Sequence, residues 1–242
     1  TSSTFGVGLV YFLLSILYFV SAISVLLLRH EGRPVPGERK SPVAETADGL
    51  RYVMNSPIVG GLILLSILPF LFGLTINTLL PAFSTDVLRG GPDDLGFLMT
   101  GMGGGAIIGS LALAKMGNVR NKGYWLIATG ALWGLLVALF ALSETFITAT
   151  VCIALIGFIS AVNMSMNRSL VQLQVEQHMR GRIMSIDMMS HGLMPLGVLP
   201  IGYIAETVSI SAGLVTSGII LCLSTLLLGA LMPKVRAINI GY

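Results

Sequence analysis

Residues 178–197, HMRGRIMSIDMMSHGLMPLG, set two arginines directly before an apolar run that then carries an aspartate and a histidine. Asp187 and His191 are four positions apart, so in a helix they share one face. An ionisable group at membrane depth costs at least about 2.5 kcal/mol on insertion scales, and such groups face a cavity or a partner. What Asp187 and His191 do therefore depends on whether the chain around them spans a membrane.

It has the composition of one that does. The 242 residues are 54% hydrophobic and only 10% charged, with a mean hydropathy of +0.88, whereas a soluble domain carries about 25% charged residues. A hydrocarbon layer about 30 Å thick takes about 20 apolar residues per helix. Seven runs meet that requirement: residues 5–28, 57–80, 95–114, 123–142, 146–167, 183–205 and 210–232. In lipid the backbone must satisfy its own hydrogen bonds, so these runs are helices, and the alternating ten-residue segments of a β-barrel are missing. The expected class is an all-α membrane protein with seven transmembrane helices.

The net charge of +3 is no nucleic-acid signature, because its placement is topological. Loops on one side hold Arg29, Arg33, Arg39, Lys40, Arg51, Lys115, Arg120, Lys122, Arg168, Arg180, Arg182, Lys234 and Arg236, and the other side holds Arg89 alone. Such a bias marks the cytoplasmic side, which puts the amino end outside and the carboxyl end in the cytoplasm. The flank before the first run has no basic residue, unlike a signal peptide. An odd span count with an outside amino end leads us to expect a piece of a longer protein. Cys152 and Cys222 fall within spans and read as small apolar fillers.

Four regions follow: a lone transmembrane helix (1–28), a cytoplasmic linker (29–56), a six-helix transmembrane bundle (57–232) and a cytoplasmic tail (233–242). The linker starts rich in proline, glycine and charge. It ends with Val43, Ala47, Leu50 and Met54 at helical spacing, the pattern of a short amphipathic helix on the membrane surface. The bundle reads as three helices plus three, with the middle helix of each triplet interrupted: the first by GMGGGAIIG (101–109), the second by Gly192, Pro195, Gly197, Pro200 and Gly202. Interrupted helices at corresponding places point to a transporter cavity.

Strong polar groups lie on spans two (Asn77), five (Asn163, Asn167) and six (Asp187, His191), and these five form the candidate cavity wall. Spans four and seven carry nothing stronger than a hydroxyl or an aromatic and are expected to face lipid. For each polar group, a helix–helix hydrogen bond is the competing role, and Asn77 reads as one. Gly101, Gly105 and Gly109, like Gly130 and Gly134, form smooth stripes for close helix approach. Met164, Met166, Met184, Met188, Met189 and Met194 suit either a cavity for varied apolar ligands or plain packing. Lys115, Arg120, Lys122, Arg180 and Arg182 anchor the cytoplasmic loops, with a second possible role as a latch that pairs with acids or helix ends.

Together, ETADGLRYVMNSP (45–57), LLPAFSTDVLRGGPDDLGFLMTGMGGGAIIGSLALAKMG (79–117) and LVQLQVEQHMRGRIMSIDMMSHGLMPLGVLPIGYIAE (170–206) resemble the major facilitator superfamily, in its bacterial branch of enterobactin-exporter and macrolide-efflux-like proteins. The most specific element is the spacing from Arg-Gly-Arg to Pro-Leu-Gly. The resemblance implies a twelve-helix antiporter whose last seven helices are here, with 5–28 as the sixth and an N-terminal half missing. It implies that spans two, three, five and six face the cavity and that four and seven are peripheral. Two features depart from the pattern: Asp187 replaces an uncharged residue, and NVRNKG (118–123) lacks the acid of the usual Gly-x-x-x-Asp-Arg loop. The expected function is export of small amphipathic molecules by alternating access, coupled to protons, at the bacterial inner membrane. A seven-helix receptor or sensor is the alternative; a retinal protein would need a lysine in the last span. No His-Glu-x-x-His helix or paired nucleophile suggests an enzyme, and no cofactor or metal is expected.

Overall fold

The computed structural model describes residues 3–27, 41–116 and 121–238. The proline- and glycine-rich start of the linker, Arg120 and residues 239–242 lie outside them. The chain divides into two compact units, 1–40 and 41–242. The first holds helix α1 (Ser3–Leu26), 24 residues long and apolar along its length. The second holds six helical segments long and apolar enough to cross a membrane, Pro57–Val87, Pro92–Lys115, Lys122–Ala141, Phe146–Gln174, Arg180–Thr207 and Ile210–Leu231. The described residues are overwhelmingly helical and contain no strand.

Helix α2 (Pro42–Asn55) precedes them. Its Ser41 cap accepts a hydrogen bond from the Ala44 amide and Pro42 opens its first turn, where a missing N–H costs nothing. Val43, Ala47, Leu50 and Met54 are all exposed, and the opposite face, with Gly49 buried, packs on Arg182 and Ile186. Ser56 is extended before Pro57, as the pre-proline position favours, and so separates α2 from the first span.

That first span is not one regular helix. It runs as α3 (Pro57–Leu68), a π-helical turn (Pro69–Gly73), α4 (Thr75–Ala82) and a second π turn (Phe83–Val87). Pro69 has no N–H for the carbonyl one turn back. Helices α5 (Pro92–Met116), α6 (Lys122–Ala141), α7 (Phe146–Gln174) and α10 (Ile210–Leu231) are continuous. The sixth span breaks into α8 (Arg180–Met189), a 3₁₀ turn (Ser190–Leu193) and α9 (Met194–Thr207). The expected interruption of 95–114 is thus corrected. Glycine lacks only a Cβ and keeps its backbone donor, so GMGGGAIIG stays helical, and the break falls at Pro69 in the preceding span.

The α5 glycines serve packing instead. A Cβ at Gly105 would strike the Ala154 carbonyl oxygen, one at Gly109 the Phe158 carbonyl, and one at Gly157 the Met102 carbonyl. Helices α5 and α7 therefore touch backbone to backbone, as α6 and α10 do through Gly134 and Gly218. Helix α6 has 61% of its apolar window buried inside the fold, the highest share among the six, because glycines on one side and Thr129 on another let α10 and α7 close around it. Tyr124, Trp125, Leu132, Leu135 and Leu139 leave it an exposed apolar face as well. The segment after α10 is no loose tail either. In the short helix α11 (Pro233–Arg236) and just beyond it, Val235 and Ile238 are buried in the bundle.

The apolar interior has two parts. One gathers Val59, Leu62, Leu126, Leu170 and Ile183; the other gathers Ile76, Phe83, Trp133, Phe140, Ile153 and Leu214. Gly105→Ala should lower stability by about 1–3 kcal/mol, the usual cost of overpacking, measured by thermal unfolding in detergent. Gly103→Ala, where an added Cβ meets nothing within 4 Å, should leave the midpoint unchanged or raise it.

Candidate functional site

Between the two apolar clusters runs a polar seam. On α7, Ile159 belongs to one cluster and Met166 to the other, with Asn163 between them. The Asn163 amide donates to the Leu126 carbonyl and to the Thr129 hydroxyl, both at 2.9 Å. One turn on, the Asn167 amide donates to the Leu62 carbonyl at 3.2 Å, while its own Oδ1 is buried with no partner. On α3, the Ser66 hydroxyl donates to Asp187 Oδ1 at 2.5 Å. Asp187 is 2% exposed. These bonds tie α7 to α6 and to α3, and α3 to α8.

The two broken spans meet at their breaks. Phe70, in the π turn, lies against His191, in the 3₁₀ turn, with ring centroids 3.9 Å apart and planes inclined at 46°. His191 is exposed, and its Nδ1 lies 2.9 Å from the Met188 carbonyl, which leaves Nε2 on the open side. The break in the first span is supported by side-chain hydroxyls. Ser217 of α10 donates to the Phe72 carbonyl at 2.6 Å, and Thr75 donates to that of Leu71 at 2.9 Å. Side-chain hydroxyls of this kind let a helix open within lipid. Gly197, the glycine of the Pro-Leu-Gly stretch, sits where any Cβ would strike the Leu71 carbonyl, and so presses α9 onto the π turn.

The five sequence candidates therefore separate. Asn163, Asn167 and Asp187 are buried and hydrogen-bonded; His191 is exposed beside them on the broken helix. Asn77 is exposed on α4 and makes no helix–helix hydrogen bond among the described residues. Met166 is buried, whereas Met188 and Met189 are exposed near His191. Sequence reading missed Ser66, Thr129, Ser217 and Phe70. The sign available for the last was Pro69 in mid-span; single hydroxyls in apolar helices are too common to stand out.

At the start of α8, Arg182 pairs with Glu45 at 3.4 Å and Asp48 at 3.7 Å on α2. Arg180 Nε donates to the Val175 carbonyl, 3.3 Å away at the end of α7. Lys115 is exposed at the end of α5 and Lys122 half-buried at the start of α6. A cleft of about 440 Å³ opens between α2 and α8, lined by Glu45, Thr46, His178, Arg182, Ser185 and Met189 among others.

Residues 2–240 match the family described as transmembrane secretion effectors. Over 150 residues the chain is 31% identical to Enterobactin exporter EntS of Shigella boydii serotype 18, covering 62% of this chain and 36% of that protein. The same figures relate it to Enterobactin exporter EntS of Escherichia coli O139:H28. The chain thus matches about a third of the length of these curated relatives. No solved structure matches.

Replacing Asn163 by Ala should cost about 1–3 kcal/mol, the range for leaving buried partners unsatisfied. In a double-mutant cycle with Thr129→Val the losses should fall short of additive, read from unfolding midpoints in detergent.

Proposed function

Because the chain belongs to the transmembrane secretion effector family of the major facilitator superfamily, we propose that it forms the sixth helix and C-terminal six-helix bundle of an exporter. The exporter moves small amphipathic molecules, such as drugs or siderophores, outward by alternating access coupled to protons. The observation that carries this reading is the meeting of two broken helices at Phe70 and His191 over a buried polar seam. Substrate sites of secondary transporters lie near mid-membrane where discontinuous helices face each other. Both breaks fall near the middle of their spans.

In this reading the exposed side of His191, with Phe70, Met188 and Met189 around it, forms one wall of the substrate cavity. A missing N-terminal half supplies the other, and rocking of the two halves opens it to either side. Phe70 and the methionines offer an apolar, adaptable surface, and His191 Nε2 a single polar contact. Asn163, Asn167 and Asp187 stand behind this wall. Asn77, exposed nearer the outer end, lines the exit. Arg182 on Glu45 and Asp48, with Arg180 on the end of α7, is the cytoplasmic latch, and Lys115, Arg120 and Lys122 anchor the facing loop. The amino end lies outside and the carboxyl end in the cytoplasm of a bacterial inner-membrane protein. The family match lends the receptor alternative no support.

His191→Ala in the complete exporter should lower efflux of amphipathic dyes several-fold at unchanged membrane levels; unaltered efflux removes His191 from the wall. A single cysteine at Gly90 should react with a membrane-impermeant maleimide on intact cells, and one at Gly181 only after permeabilisation.

A further inference from the structure

Arg168 follows Asn167 on α7 and, unlike it, is exposed. It lines a small cavity with Phe70, Met164 and Asn167 among others, which sets it beside the π turn of the first span. Among the described residues it makes no hydrogen bond or ion pair. The arginines of the cytoplasmic end differ, since Glu45 and Asp48 hold Arg182 and the Val175 carbonyl holds Arg180.

Position adds to the contrast. Arg168 stands roughly 12 Å along α7 from its midpoint Ser160, at 1.5 Å per residue. That is inside a hydrocarbon half-thickness of about 15 Å. A guanidinium at such depth is costly unless it faces a cavity or a partner. The seam's own acid does not serve, because Asp187 is 2% exposed and takes the Ser66 hydroxyl. Phe70 links Arg168 to the candidate wall: it shares the small cavity with the arginine, and its ring lies 3.9 Å from that of His191. Arg168 and His191, both exposed, therefore flank one buried ring. None of Phe70, Met188, Met189 and His191 is an acid, so the charge of Arg168 is not offset on the wall.

We propose that Arg168 is a specificity-determining residue of the cavity wall, and that the molecules it selects carry a carboxylate or phenolate on an aromatic frame. This rests on the exporter reading and narrows it from amphipathic molecules at large to acidic ones. The guanidinium fork gives an oxyanion two parallel N–H donors. The frame then lies over His191 and the exposed Met188 and Met189, whose thioethers adapt to varied rings. Cationic molecules of the same size are held less well, because the fixed charge repels them.

The test uses the complete exporter in phosphatidylcholine nanodiscs, with the fluorescein anion and a cationic rhodamine ester as probes of similar size. Binding is read by fluorescence anisotropy. Fluorescein should bind the more tightly. Arg168→Gln should weaken its binding roughly ten- to a hundredfold, the loss expected for a hydrogen bond to a charged group, and leave the rhodamine unchanged or tighter. Arg168→Lys keeps the charge but loses the fork, and should restore part of the difference. Should Arg168→Gln fail to fold, Arg168→Lys carries the comparison. An arginine that only reaches lipid phosphate, or only pairs with an acid of the facing half, makes both dyes respond alike. Equal responses, or a native protein that binds the two dyes equally or binds neither, overturn the proposal. Efflux from preloaded vesicles separates it from the exporter reading. Charge-dependent binding without efflux sinks that reading alone, and efflux of both dyes indifferent to Arg168→Gln sinks the role of Arg168 alone.

Discussion

Everything in the second unit turns on one constraint: a helix in hydrocarbon opens only where something else supplies its missing hydrogen bonds. Two spans open here, and the opening in the first is answered from its neighbours. Ser217 reaches the Phe72 carbonyl and Asn167 the Leu62 carbonyl, while Gly197 allows α9 to lie against Leu71. Satisfying those groups draws α7, α9 and α10 around the broken first span. The polar seam is therefore a product of the breaks as much as of its own side chains.

The seam also explains why the interior has two apolar clusters. Burying an unpaired amide or carboxylate is expensive, so Asn163, Asn167 and Asp187 collect where they can reach carbonyls and hydroxyls of facing helices. Apolar packing continues above and below them. Hydrogen bonds between membrane helices are individually modest, and these matter more for fixing which residues face each other at the breaks than for total stability.

Much of this was legible in the chain itself. Hydropathy located all six spans of the bundle, because lipid imposes a length and a composition that few soluble segments share. The amphipathic pattern of Val43, Ala47, Leu50 and Met54 located α2 and its exposed face. Glycine spacing located the α5–α7 contact, but the same glycines misled about continuity, since removing a Cβ and removing an N–H have different consequences. Pro69 carried the true signal. The partners of Asp187 and Asn163 were not legible: Ser66 lies 121 residues from Asp187 along the chain and Thr129 lies 34 from Asn163, and only the packing chooses them.

The interlock of α5 with α7 has a mechanical meaning. Where Gly105, Gly109 and Gly157 bring main chain against main chain, no flexible side chain lies between to yield, and close-packed contacts of this kind do not deform gradually. The pair behaves as a stiff chassis. Any bending the bundle undergoes is thereby confined to the two jointed segments mounted beside it, which are the ones that carry Phe70 and His191.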